Sequence, residues 1–565
     1  MMMKKMRKHI LSAAVIAAVI GMQSAVWAAP GDYRPTPEQD AAMRQGYNNA
    51  GVQMNQTREY LERQRVARQI QEDRAKQRAQ VEGTQTGEKE ETSAAVKFKL
   101  NKITTDKSDV LTDDDIASVT KEYVGKEITI QDLYKIVSGI NEKYAAGGYL
   151  TCRAFLAPQT IKNGEVHITL IEGRTGEIVV QGNKSTKAKY IMNRLHLTKD
   201  NIDNINDLNK DLLLFNASND VQLRISMQAG TQPGTTDYAI AAYEPKQHNF
   251  TIYGDNAGSD TSGEWRGGLF YNNRSLTGVR DSLNMSTMLS DGTRVFSTSY
   301  TRPIGRSGTK LGVNYSTNSV HIIDGDLEDL DVRGHSTAYG VQLIQPLVVT
   351  ERICTEATLD YSYQNSQTDF MGMHWVDDTS RGYTAAYSVT NYGDSSIIYQ
   401  RHGYRFGDFE NISGEGKNFG KYTFNGFYQK AYAHGQMLSA RLDGQWSGNN
   451  YLASAEQFYI GGMNSVRGYK ESLLGGDHGY AASIEYAVPL DKGRTTNAFI
   501  FADYGEVLGD SAFDDHILAG TGFGIRTTLS QKVFLSATLG VPLRRELNGT
   551  EVSKTRIHCM LNGQF

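Results

Sequence analysis

The sequence predicts a C-terminal transmembrane antiparallel β-barrel of about sixteen strands, preceded by two small α/β modules and a polar N-terminal helix. Three observations predict it. From about residue 249 to the end, apolar and polar residues alternate in segments of about ten. Before that, two stretches each order their elements as strand, two helices, two strands. The composition is rich in glycine (56) and in tyrosine (31, against 19 phenylalanines) and poor in proline (10). Glycine suits a water-filled lumen lining, and tyrosine suits an interfacial girdle.

The 565 residues carry 59 Lys and Arg against 63 Asp and Glu, a formal charge of -4. That balance gives no support to nucleic acid as a partner. The mean hydropathy is negative. A spanning helix needs about 20 consecutive apolar residues, and only Ile10 to Gly21 approaches that. A polytopic helical membrane protein is therefore excluded, but a membrane protein built of strands is not.

Residues 1–28 read as a secretory signal peptide. Lys4, Lys5, Arg7 and Lys8 precede the apolar run, and Val26 and Ala28 supply the small residues of a cleavage site after Ala28. Cys152, Cys354 and Cys559 are odd in number, far apart and without a C-x-x-C pair, so no disulfide framework or metal pair is expected.

Residues 29–82 form a polar N-terminal segment. Good helix formers dominate from Thr57 to Gln80, with Tyr60, Leu61, Val66 and Ile70 too few for a core-facing stripe. A helix polar nearly all round belongs in water or in a water-lined channel. Residues 83–95 read as a flexible, charged linker.

The first α/β module is placed at 96–173. Phe98, Leu100 and Ile103 mark a strand. Thr112 caps a helix opening with three aspartates. Thr129 with Asp132 resembles a capping box ahead of Leu133, Ile136, Val137, Ile140 and Tyr144. Two strands follow, turned at Lys162-Asn163-Gly164. The second module, 174–246, repeats the order with a strand at Ile178 to Val180, helices at Lys187 to Leu195 and around Leu208 to Phe215, and two closing strands. Sheets this small keep open edges, and an open edge can add a strand from an extended chain.

The barrel is placed at 247–565. Leu311, Val313 and Tyr315 alternate with polar neighbours, as do Leu359, Tyr361 and Tyr363, and Leu438 to Trp446, whose polar face holds Arg441 and Asp443. A sandwich would share the alternation. Charges and glycines on the polar face favour a barrel with a wet lumen. A sheet can cross lipid only if closed, since every backbone polar group needs a partner. Roughly 320 residues at about 20 per strand and loop give about sixteen strands, wide enough for an aqueous channel. The last strand, Arg556 to Phe565, ends on an aromatic residue. Phe565 resembles the sorting signal of bacterial outer-membrane barrels.

Taken in order, these residues resemble the two-partner secretion translocators, also called hemolysin secretion/activation proteins (the TpsB class), within the superfamily of POTRA-barrel assembly and transport proteins. The resemblance covers essentially the whole mature chain. Gly461-Gly462 followed by Ser465-Val466-Arg467-Gly468-Tyr469 is similar to the family's G-G-x-x-S-V-R-G-Y signature, carried on a long extracellular loop that folds back into the pore. Phe501-Ala502-Asp503 resembles its F-x-D motif on the inner barrel wall. Pro233 to Asp237, Tyr253 to Gly263 and Gly476 to Tyr480 match further in the same order.

Alternation puts Phe499, Phe501 and Asp503 on one strand face. If that face is the lumen, Asp503 can receive the guanidinium of Arg467 bidentately and pin the loop. The solvated alternative leaves both as ordinary surface charges. No H-E-x-x-H, G-x-S-x-G or P-loop is present. Gly520 to Gly524 lies in an all-β run and reads as small lumen-facing residues.

The resemblance implies an outer-membrane translocator, not an enzyme, without cofactor or metal. Its periplasmic modules would capture a dedicated, unfolded exoprotein of the TpsA type. The barrel would pass it outward, with the segment near Thr57, Tyr60 and Leu61 plugging the resting pore. Outer-membrane lipid and the barrel-assembly machinery are the other expected partners. The alternative is a barrel-assembly factor that inserts other outer-membrane proteins; such proteins typically carry more POTRA modules. A passive porin would leave the modules without a purpose, and a secreted sandwich enzyme lacks a site.

Overall fold

The structure, a computed structural model, describes residues 46–60, 63, 66, 97–448, 452–509, 516–530, 532–547, 550–551 and 554–565. The signal peptide expected at 1–28, the linker expected at 83–95 and Leu61 lie outside the described residues.

The first module packs helices Asp113–Thr120 and Ile130–Ala146 on a three-stranded sheet ordered Lys102–Thr105, Glu165–Glu172, Cys152–Phe155. The middle strand runs parallel to the first and antiparallel to the last. Both helices start with reciprocal capping boxes. The hydroxyls of Thr112 and Thr129 accept from the backbone N–H of Asp115 and Asp132, whose carboxylates accept the threonine N–H in return. Loss of such a cap costs about 1 kcal/mol. The expected helical face is buried against Val166, Ile168 and Leu170. Asn163 and Gly164 both take positive φ, as a two-residue hairpin turn requires. The first strand expected at Phe98, Leu100 and Ile103 is split in two: Phe98 lies in a short ribbon, Lys97–Lys99 with Glu127–Thr129, and Ile103 in the sheet strand Lys102–Thr105. Three residues per strand are too few to leave a periodic signal.

The second module repeats the plan. Helices Ala188–Met192 and Ile205–Ser218 cover a sheet ordered Arg174–Gln181, Thr235–Tyr243, Gln222–Ala229. Leu208, Leu212 and Phe215 pack on Leu223, Ile225, Tyr238 and Ile240. Its first helix is shorter than the sequence suggests and starts without a side-chain cap.

The rest is a closed barrel of sixteen strands, all neighbours antiparallel, from His248–Asp255 to Arg556–Gln564, which pair with each other to seal it. The alternation resolves as two faces. Leu359, Ile500, Phe523 and Ile557 are exposed outward, with Tyr315, Tyr339, Tyr383 and Tyr404 among them. Gln364, Ser366, Asp443 and Gln445 are buried inside. No described helix is long and apolar enough to cross a membrane. The cysteines are three free thiols.

The second module docks on the barrel turns at 274–281 and 304–309. Asp220 pairs with Arg274 (3.3 Å) and with Arg280. The Ser275 hydroxyl donates to Ser185 O (2.8 Å), Lys187 N–H to Gly278 O (2.9 Å) and Arg194 to Gly305 O (2.7 Å). These contacts define the end of the barrel that faces the modules.

Candidate functional site

Between strands Met437–Ser447 and His478–Pro489, the described part of the loop, 452–477, turns back into the barrel. Its limbs pair as a small ribbon, Phe458–Ile460 with Leu474–Gly476. Gly461 and Gly462 take positive φ, and the Ser465 hydroxyl bridges Gly461 N–H (2.7 Å) and Gly461 O (2.9 Å). This tight turn delivers Arg467 to the inner face of the adjacent wall, strands His478–Pro489 and Thr496–Leu508.

Arg467 is buried there. Its Nε lies 2.7 Å from Asp503 Oδ2 and its Nη2 2.8 Å from Oδ1, a bidentate fork. Its own backbone N–H adds a bond to Asp503 Oδ2 (3.0 Å). Nη1 reaches Glu485 (3.0 Å) and Nη2 reaches Ser483 Oγ (3.1 Å). The guanidinium lies 3.5 Å over the Phe501 ring, a cation–π contact. Arg526 pairs with the other side of Glu485. Two cations thus face two carboxylates, and every charge has a partner in a buried setting, where an unpaired one would be costly.

The flanking motif residues explain how the loop fits. Val466 is buried with Ile460, Leu474, Val507 and Leu518. The Tyr469 hydroxyl donates to Ala519 O (2.8 Å) and accepts from Arg544 N–H (3.2 Å). Gly468 has φ +101°, and a Cβ there would sit 3.0 Å from Pro542 N. Gly520 and Gly540 meet the loop backbone at Arg467 and Gly468, while Gly522 and Gly524 lie against the Phe501 and Phe499 rings. The glycine run that the sequence placed in the lumen is thus where loop and aromatic wall come closest.

A second cluster was not foreseen. Glu456, near the start of the loop, is buried against Arg405 (Nη2–Oε1 2.9 Å) and Lys421 (Nζ–Oε2 2.8 Å). Its backbone carbonyl accepts from Lys421 (2.7 Å) and Gln445 (2.9 Å). The partners lie on strands Ser396–Glu410, Gly416–Ala431 and Met437–Ser447. Glu485 and Arg526 were also missed. Parity along the strand finds Glu485, which shares a face with Ser483, the residue opposite Asp503 in register.

A helix occupies the lumen beside the loop. It begins at residue 50, seven residues before the sequence places it, because Asn49 Oδ1 accepts from the N–H groups of Gly51 (2.9 Å) and Val52 (3.2 Å). Thr57 is therefore not a start; its hydroxyl donates to Gln53 O (2.9 Å) within the helix. Tyr60 OH reaches Met560 Sδ (3.2 Å) on the last strand. Toward the wall, Ala50 O accepts from Asn318 (2.8 Å) and Gly51 O from Gln364 (3.4 Å). Toward the loop, Asn55 donates to Ala455 O (2.7 Å), Gln56 to Ser472, and Arg63 to Asn464 O (3.1 Å). Ala50 packs under Val320, Ile322, Leu327 and Val332, at the end away from the modules. Val66 packs with Tyr392 and Ile397 near the module end. At the seam, Phe565 and Phe250 exchange backbone bonds (2.8 and 3.1 Å).

Among the described residues no group of histidine, cysteine or carboxylate side chains could hold a metal ion. What the arrangement supplies is a charge-assisted hold on a loop and a helix inside the barrel.

Comparison with known proteins agrees with this geometry. The model of the haemolysin secretion/activation protein family ShlB/FhaC/HecB matches residues 234–527, and that of the ShlB-type POTRA domain matches 98–173. The heme/hemopexin transporter protein HuxB of Haemophilus influenzae is 24% identical over 471 residues, covering 78% of this chain and 82% of the relative. The outer membrane transporter CdiB of Escherichia coli is 23% identical over 483 residues, covering 80% and 81%. A solved structure of CdiB from Escherichia coli superposes with a TM-score of 0.67 at 19% identity, over 94% of this chain and 100% of that one. BamA from Haemophilus ducreyi, lacking its POTRA domains 1–3, superposes at 0.50 and 14%, over 83% and 100%. With its matched family region spanning half its length, the chain belongs to the haemolysin secretion/activation protein family, ShlB/FhaC/HecB.

Proposed function

We propose that this protein is an outer-membrane translocator for one dedicated large exoprotein of the hemolysin or adhesin type. The modules stand in the periplasm, take up the unfolded partner and pass it to the barrel. The helix that contains Thr57 and Tyr60 plugs the resting pore, and the loop carrying Val466 to Tyr469 is held by Phe501 and Asp503 until the partner arrives. Lipid contacts the exposed aliphatic and tyrosine belt. Phe565 serves the barrel-assembly machinery as the sorting residue during insertion.

One observation carries the reading. The lumen is filled by two segments of the chain's own backbone, held to each other and to the wall mainly by hydrogen bonds and ion pairs. Polar contacts can be exchanged for those of an incoming hydrated chain, whereas an apolar plug would have to expose its packed surface. A protein meant to stay closed would not need modules at its inner mouth.

The test deletes residues 29–82 and records bilayer conductance together with release of the exoprotein partner into the medium. The expected result is a larger, longer-lived conductance from a barrel that still inserts. Unchanged conductance and open probability would sink the plug. If loss of the whole protein depleted other outer-membrane barrels while the exoprotein still reached the medium, assembly rather than export would be its function.

A further inference from the structure

The lumen wall has two unlike halves. Asn318 bonds the lumenal helix, so its face of the sheet is the inner one, and residues opposite each other in register share a face. One inner row crosses six strands as Asn272, Asn284, Ser299, Asn314, Gly340 and Ser362. Asn272 donates to Asn284 (2.7 Å) and Asn284 to Ser299 (3.2 Å), a ladder of neutral side chains. Among the described residues of the four strands from Ser282–Leu289 to Arg333–Val349, the inner face carries one charge, Lys310 at the module end. The neutral row ends at Ser362, whose hydroxyl accepts from Arg405 (2.7 Å).

Arg405 opens the charged half, and the inward loop covers that half. Arg405 and Lys421 hold Glu456 of the loop, Arg441 holds Asn464 O, and Glu485 and Asp503 hold Arg467. The helix covers the neutral half and touches it with its own backbone. Its carbonyls at Ala50 and Gly51 accept from Asn318 and Gln364, and a Cβ on Gly51 would lie 2.7 Å from Ser366 Oγ. The neutral wall is thus already a seat for polypeptide backbone. A long chain in transit presents both signs of charge in succession. A fixed wall charge would hold each opposite stretch and repel each like one, most strongly inside a lumen, where low-dielectric walls focus the field. Hydroxyls and carboxamides both donate and accept, so they match any passing peptide group.

We infer that the exported chain runs along the neutral row from Asn272 to Ser362, in the space beside the wall that the helix fills at rest. This rests on the export function proposed above and names the side of the lumen that the partner touches. The short serine and glycine side chains leave room there, and the absence of fixed charge makes the track indifferent to the sequence that passes. The charged half serves to anchor the chain's own loop and is not the track.

Photo-crosslinking tests it in cells making the full chain and the exoprotein, with the exoprotein stalled in transit by a disulfide-closed domain fused to its C-terminus. A benzophenone amino acid is placed at Asn284, Ser299 or Asn314 on the neutral wall, and at Thr423 or Ser439 on the charged one. Thr423 and Ser439 face the lumen opposite Gln445 and Glu485 in register, and all five are half-buried. The expected result is exoprotein adducts from 284, 299 and 314, several-fold over 423 and 439. With the unfused exoprotein, Ser299→Glu and Ser299→Lys should each reduce release into the medium several-fold at unchanged barrel level, and Ser299→Gln should not. Adducts mainly from 423 or 439, equal adducts from all five, or full release with both charged variants would overturn the assignment while leaving export standing. Should a charged variant fail to insert, the adduct pattern decides. Absence of the exoprotein from the medium even with the unaltered chain would instead overturn the export function.

Discussion

Arg63 on the lumenal helix and Arg441 on the barrel wall donate to the same acceptor, the backbone carbonyl of Asn464. Asn464 lies three residues before Arg467, so helix, wall and inward loop meet at one oxygen. Asp443 sits between the two arginines, 3.2 Å from Arg441 and 3.6 Å from Arg63. Movement of the helix removes one cation from this cluster and leaves the loop tip held by the wall alone.

Arg63→Ala should therefore loosen the helix without unfolding the barrel. Single-channel recording is expected to show a several-fold rise in open probability. An unaltered record would mean that the helix is retained by its other contacts.

Arg467→Lys separates charge from geometry. A lysine keeps the positive charge but cannot form the fork to Asp503 or cover Phe501. Export is expected to fall almost as far as with Arg467→Ala, with both barrels inserted. Breaking a buried pair of this kind costs about 3–5 kcal/mol of loop anchoring. Protease accessibility of the loop, probed from outside the cell, measures that loosening directly.

Glu456→Gln strikes the other end of the same loop. The amide keeps the shape but leaves Arg405 and Lys421 facing each other without a carboxylate. The variant should lower the heat resistance of the folded barrel in gel-shift assays and raise conductance. Combined with Arg467→Ala, the effects should be non-additive, since both residues hold one segment.

Asp203 gives the periplasmic region a pH dependence. It is buried beside Thr175 and Tyr238, and burial pushes its carboxyl up to about 6. The native state then binds this proton more tightly than the unfolded chain, whose aspartates titrate near 3.9. The contribution to stability is present in full below about pH 4 and is lost as pH rises to about 6. Amide exchange in strand Thr235–Tyr243 should speed up across that window, and Asp203→Asn should flatten the profile.

Much of this architecture is legible in the sequence because its signals are local. Alternation marks the spanning strands, and Thr112 and Thr129 announce their helices within four residues. The motifs at Arg467 and Asp503 stand out as strings, and strand parity alone puts Asp503 in line with Phe501. The Glu456 cluster is silent for the opposite reason. Its partners lie 51 and 35 residues away, on strands whose register no local pattern gives. The helix start was missed because Ala50 to Gln56 mixes glycine, valine and asparagine with better formers, and its cap rests on one asparagine without a charged partner three residues on.

The helix has a topological consequence. Val66 lies near the rim where the modules dock, and Ala50 lies under the loops at the far end. The protein's own backbone thus already passes through its barrel from the module side to the opposite side. On the plug role proposed above, the resting occupant is a polypeptide, chemically the same kind of object as the cargo, and it is covalently attached. A tethered competitor of this sort returns at an effective concentration on the order of millimolar. Opening is then an exchange of one peptide chain for another, driven by the cargo's own binding, and closure after the cargo's last residue has passed needs no signal.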